Sequence, residues 1–134
     1  PGNVDYLLAF EPLEALRQIG FLHPESTVIT NDYAIPPVSV SSGQTEYPEP
    51  DHIQEVLASH SRKLYHFDAT TEAVSLGSVK TVNVLLLGAL SALLDIPEKV
   101  WEEGIKKFAP QRFMQLNIDA FYTGRKRIHE KEPA

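Results

Sequence analysis

Asp5-Tyr6-Leu7-Leu8-Ala9-Phe10 is a nearly continuous apolar run that stops at Glu11-Pro12. A run this short, without polar alternation, is the pattern of a strand covered on both faces, as in a parallel sheet. Pro12 suits the first turn of a helix, where a missing N–H leaves no bond unmade, and Leu13, Leu16 and Ile19 then recur at helical spacing up to Gly20. After Pro24 comes a second apolar run, Thr27-Val28-Ile29-Thr30-Asn31. A strand, a helix and a strand of these lengths suit a right-handed parallel crossover. The expected fold is therefore α/β, a parallel sheet with helices, in a single domain.

Downstream, prolines and serines crowd residues 34–50, so that stretch is read as a long excursion with at most a short extended piece. Asp51 is expected to cap a helix whose stripe is Ile53, Val56 and Leu57, and Lys63 to Asp68 to form a third strand with Leu64, His66 and Asp68 on one side. A brief helical turn from Thr71 to Leu76 leads to Gly77. Residues 82–94 carry no charge across thirteen positions. A bilayer span needs about 20 apolar residues, so this segment is read as a helix buried within its own domain or against a partner subunit. Pro97 opens a further helix, and a last one places Phe113, Leu116, Asn117, Ala120 and Phe121 on a stripe that stops at Gly124.

Composition narrows the function classes. The 134 residues contain no cysteine, which removes Cys-ligated zinc, thiolate-held iron–sulfur clusters, a thiol nucleophile and disulfides from this chain. The cysteine count and the lack of a recognisable leader make a cytoplasmic location the expectation. Residues 1–60 hold one cation against nine acids and residues 61–134 hold eleven against nine, so the acidic first half makes nucleic acid a poor partner. The basic cluster Arg125-Lys126-Arg127 is read as part of a solvated tail, residues 125–134, with docking against an acidic partner as its functional alternative.

The strong catalytic and phosphate-binding motifs are missing, and no catalytic residue and no metal ligand is assigned. For His60, His66 and Asp68 a half-buried strand with polar tips is preferred over a metal site, and Ser39, Ser41 or Ser42 with His66 and Asp68 lack the elbow motif of a hydrolase. Two stretches carry more. Ile35-Pro36-Pro37-Val38-Ser39 follows the second strand, where open α/β sheets place ligand or partner loops, so Pro36, Pro37, Val38 and Ser39 form a candidate loop. Gly77-Ser78-Val79-Lys80-Thr81-Val82-Asn83 leads into the apolar helix, where backbone N–H groups and Lys80 can attract an anion; Ser78, Lys80 and Asn83 are the candidate cofactor-binding residues. Asn83 is read as a buried amide that either fixes a neighbouring loop or reads a polar group across an interface.

The strand and Glu-Pro opening of Asp5 to Pro12, Leu13-Glu14-Ala15-Leu16-Arg17, Ile35-Pro36-Pro37-Val38-Ser39, and Asn83 with Leu87-Gly88-Ala89-Leu90 together resemble the gamma-type small subunit of the 2-oxoacid:ferredoxin oxidoreductases. Pro36-Pro37-Val38 followed by Glu46-Tyr47-Pro48 is most similar to the beta subunit of the indolepyruvate enzyme. The resemblance implies a three-layer α/β domain, a mostly parallel sheet flanked by helices, in a subunit of a complex that oxidatively decarboxylates 2-oxo acids, such as indolepyruvate or pyruvate, and passes electrons to ferredoxin. It places thiamine diphosphate, iron–sulfur clusters and coenzyme A in the complex and none of them on this chain, and it makes the thiamine and iron–sulfur subunit the direct partner. It also implies that residues 1–124 are the C-terminal portion of a gamma-type domain whose glycine-rich start is missing. A stand-alone nucleotide- or coenzyme A-binding α/β module is the alternative.

Overall fold

The structure is a computed structural model that describes residues 1–34 and 41–131. It divides into two compact units, Pro1–His66 and Phe67–Ala134. In the first, β1 (Val4–Ala9), α1 (Pro12–Arg17), a 3-10 turn (Ile19–Phe21), β2 (Leu22–Asn31), α2 (Pro50–Ser59) and β3 (Lys63–Phe67) follow one another. The sheet order is β1-β2-β3, and β1 and β2 run parallel with Leu7 opposite Val28, Leu8 opposite Ile29 and Ala9 opposite Thr30. The strand–helix–strand reading of the opening residues is thus the observed topology.

Two local differences have clear causes. β2 starts five residues earlier than the apolar run does, because the chain absorbs Pro24 and Glu25 in a register shift between Val4 and Tyr6. Buried Ser26 closes that irregularity: its Oγ accepts the His23 N–H at 2.9 Å and donates to the Val4 carbonyl at 2.5 Å. The expectation that β1 is covered on both faces is corrected, since it lies at the sheet edge with Tyr6 41% exposed. Ala9, Ala15, Ile53 and Leu57 form the core of this unit, with Leu7, Leu16, Tyr47 and Leu64 packed around it. Asp51 is not the cap of α2: Pro50 takes the first helical position and Asp51 sits in the first turn.

The second unit holds α3 (Ala69–Leu76), a 3-10 turn (Val79–Thr81), α4 (Val82–Ser91), α5 (Glu98–Phe108), a 3-10 turn (Gln111–Phe113) and α6 (Met114–Lys131). Asp68 starts α3 by accepting the Thr71 N–H at 2.9 Å and its hydroxyl at 2.7 Å, and Gly77 ends it with φ 130°. Leu85, Leu86 and Ala89 of α4 and Ala120, Phe121 and Ile128 of α6 are fully buried. The two helices meet backbone to backbone at Gly88 and Gly124, where an added Cβ would lie 1.9 Å from the Phe121 carbonyl oxygen and 1.7 Å from that of Leu85.

Gly124 therefore does not end α6, which continues to Lys131. The expected solvated tail is corrected over residues 125–131. Arg125 pairs with Glu98 at 3.0 Å and reaches the Ser91 hydroxyl, Arg127 pairs with Glu72, and Ile128 is buried.

Candidate functional site

In the first unit, polar groups gather at the ends of β2 and β3. Glu11 is buried, and each of its oxygens is committed: one accepts the Glu14 N–H at 3.0 Å and so caps α1, the other accepts the Tyr47 hydroxyl. Burial, and then the hydrogen bond and charge of Glu11, push the Tyr47 phenol well above its ordinary range. Beside this pair, His66 Nδ1 lies 2.9 Å from Asp32 Oδ2 and 3.3 Å from Gln54 Nε2. Tyr47, Asp32 and Gln54 line a cavity of about 210 Å³ with Thr30, Ile53 and Leu57. This is the carboxyl end of a parallel strand, the usual address of a ligand crevice in an open α/β sheet.

In the second unit, Ser78 accepts the Lys80 N–H at 3.2 Å and thereby caps the 3-10 turn that enters α4. Ser78, Lys80 and Asn83 line one cavity of about 290 Å³ with Phe113, Leu116 and Asn117. Asn83, Pro110 and Asn117 also border a larger apolar groove of about 540 Å³, whose walls include Val84 and Leu87 of α4 and Val100, Trp101, Ile105 and Phe108 of α5. Across α5 from this groove, the Tyr122 hydroxyl donates to Glu102 at 2.8 Å. That bond, with a second from Lys106, holds Glu102 below the usual carboxylate range and in turn raises Tyr122.

The structure thus brings Ser78, Lys80 and Asn83 together, but not as a buried site. Asn83 is exposed, because α4 turns Leu85, Leu86 and Ala89 toward α6 and leaves Asn83 and Leu87, one turn apart, on the groove side. Pro36, Pro37, Val38 and Ser39 lie outside the described residues. His60, His66 and Asp68 do not converge: His60 Nδ1 is 2.8 Å from the Val56 carbonyl, His66 is held by Asp32, and Asp68 is the cap of α3. Among the described residues no group of three or more His, Asp or Glu could hold a metal ion. The partner of His66 is Asp32, not Asp68; the two lie 34 residues apart, and no local pattern could signal the pairing.

A parallel sheet with polar crevices at its strand ends, and a helical unit with an open apolar groove, define an α/β chain. Residues 1–127 match the family described as pyruvate ferredoxin/flavodoxin oxidoreductase, and the chain belongs to that family. It is 38% identical over 132 residues to indolepyruvate oxidoreductase subunit IorB of Thermococcus kodakarensis, covering 96% of this chain and 65% of that protein. The subunit of the same name from Methanothermobacter thermautotrophicus is 32% identical over 125 residues, covering 92% and 64%. The chain therefore spans slightly under two thirds of the length of these curated relatives. The gamma subunit of a keto/oxoacid ferredoxin oxidoreductase from Geobacter sulfurreducens has the same fold, with a TM-score of 0.70 at 18% identity, over 96% of this chain and 66% of that one.

Proposed function

We propose that the chain works as part of a small, gamma-type subunit of a 2-oxoacid:ferredoxin oxidoreductase, with indolepyruvate as the leading substrate and pyruvate next. The observation that carries this is the 38% identity to IorB subunits along nearly the whole chain. In this reading a larger subunit carries thiamine diphosphate and the iron–sulfur clusters, joins the acyl group to coenzyme A, and reduces ferredoxin in the cytoplasm. The donor chemistry of these residues agrees with that division: with no cysteine, these 134 residues lack the thiolates that ordinarily hold a cluster. Among the described residues no helix is long and apolar enough to cross a membrane.

The test is reconstitution. The chain alone is expected to show no 2-oxo acid-dependent reduction of a viologen dye, and addition of the larger subunit is expected to give coenzyme A-dependent activity with indolepyruvate above pyruvate. Full turnover by this chain alone refutes the proposal. A second reading, a stand-alone nucleotide- or coenzyme A-binding module, is favoured by the shared cavity of Ser78, Lys80 and Asn83. Calorimetric binding of coenzyme A to the isolated chain, lost in Lys80→Ala, would select it.

A further inference from the structure

Among the described residues the groove between α4 and α5 is an apolar surface without a cover. α5 is amphipathic, yet it buries none of its residues: Phe108 is 81% exposed, Val100 54% and Ile96, just before the helix, 40%. α4 has no charged residue at all, and its second face, Val84 and Leu87, forms the opposite wall. A helix apolar on all sides belongs inside a protein or against a partner. At mid-length, Gly104 lowers the wall to backbone height, with nothing within 4 Å of a Cβ built there.

Charge at one end of the groove specifies the occupant further. Most cations of this unit are matched to acids: Lys99 to Glu103, Lys106 to Glu102, Arg125 to Glu98, Lys126 to Glu130 and Arg127 to Glu72. Lys107 and Arg112 instead lie over phenyl rings, Lys107 Nζ 5.5 Å from the centroid of Phe108 and the Arg112 guanidinium 4.7 Å from that of Phe113. Among the described residues neither meets a carboxylate within 4.0 Å. Lys107 lies over Phe108, a wall of the groove, and Arg112 follows Pro110, another of its lining residues; two unmatched cations there, in a chain of net charge −6, are complementary to carboxylates on an incoming apolar element.

We infer that this groove receives an amphipathic helix of the larger partner subunit, with its apolar side chains between α4 and α5 and its carboxylates at Lys107 and Arg112. Two helical walls, one lowered to backbone height at Gly104, suit a helix, whose apolar anchors recur every three or four residues. The inference rests on the subunit reading above, and it adds which face binds and the chemistry of what binds there.

The experiment titrates the full chain with the larger subunit and measures affinity, its salt dependence, and hydrogen-exchange protection of α5. Phe108→Asp is expected to weaken the complex by about 10- to 100-fold, the range of an interface anchor. The double variant Lys107→Glu/Arg112→Glu should weaken it mainly at low salt and flatten the salt dependence. Phe10→Asp, a control just past the end of β1 in the other unit, should bind like the wild type. All these side chains are exposed, so unchanged thermal melts are expected to show that the variants fold. Wild-type affinity in Phe108→Asp and in the double variant would overturn the inference while leaving the subunit reading intact. Failure of the wild type to bind would remove both. A dimer of the chain alone that Phe108→Asp dissolves would assign the groove to a second copy, and saturable coenzyme A binding lost in Phe108→Asp would assign it to a small ligand; either result overturns the inference.

Discussion

Gly124→Ala should destabilise the chain even though it replaces a poor helix former with the best one. In an open helix interior the exchange stabilises by about 0.8–1 kcal/mol. Here the new Cβ would sit 1.7 Å from the Leu85 carbonyl oxygen, and a relaxed carbon–oxygen contact is about 3.3 Å, so α6 would have to withdraw by roughly 1.5 Å. The opposing atom is backbone, and no change of rotamer relieves the clash. Withdrawal loosens Leu85, Leu86, Phe121 and Ile128, all essentially inaccessible to solvent. Overpacking of this kind costs about 1–3 kcal/mol, and a backbone contact belongs at the upper end; less the propensity gain, the net loss is about 2 kcal/mol. At about 3–5 °C per kcal/mol for a chain of this size, Tm should fall by about 6–10 °C. Gly104→Ala is the matched control: nothing lies within 4 Å of its Cβ, so propensity alone should raise Tm by about 2–5 °C. Gly88→Ala combined with Gly124→Ala should cost less than the sum of the two, because one separation accommodates both methyl groups. Circular dichroism melts and urea midpoints read the wild type and all four variants. If Gly124→Ala raises Tm as Gly104→Ala does, the two helices do not close on their backbones and the reasoning fails.

Two further outcomes follow from the polar groups. Asp68→Ala removes the acceptor of both the Thr71 N–H and its hydroxyl, and should lower stability by about 1 kcal/mol in urea titration; an unchanged midpoint would mean that α3 does not depend on its cap. Tyr47 has its folded pKa raised, so the stability it contributes is complete below about pH 10 and is lost as pH climbs toward the folded value. Urea stability of the wild type should therefore fall above about pH 10 more steeply than that of Tyr47→Phe, and parallel pH profiles would contradict the buried pairing with Glu11.

What could be read from the sequence was what depends on neighbours along the chain. Apolar runs and Pro12 located β1, α1 and β2, and Pro97 located the start of α5, because each signal is contained within a few residues. The misreadings arise where tertiary contact decides. Gly124, at the end of an apolar stripe, has the look of a helix stop, yet its lack of a side chain is used against Leu85, 39 residues earlier in the sequence. Asn83 in an uncharged run has the look of a buried amide, but an all-apolar helix with one packed face still leaves the other open. The Ser78 cap of the turn that holds Lys80, and the Asp32–His66 and Glu11–Tyr47 pairs, required the folded chain.

The Glu11–Tyr47 bond also bears on the order in which the first unit opens. It joins residues 36 apart, and closing a free loop of that length costs about 3 kcal/mol in chain entropy. A hydrogen bond to a charged group returns about 1.5–3 kcal/mol, so in an otherwise unfolded chain the pair would barely hold. It persists because the β1–β2 ladder already brings Glu11 close to where Tyr47 arrives, which shortens the loop left to close. Release of Tyr47 can therefore precede melting of the sheet but not the reverse. In native-state hydrogen exchange, the capped amide of Glu14 should exchange through a smaller opening than the amides of Val28 and Ile29, which makes the start of α1 the place where this unit first comes undone.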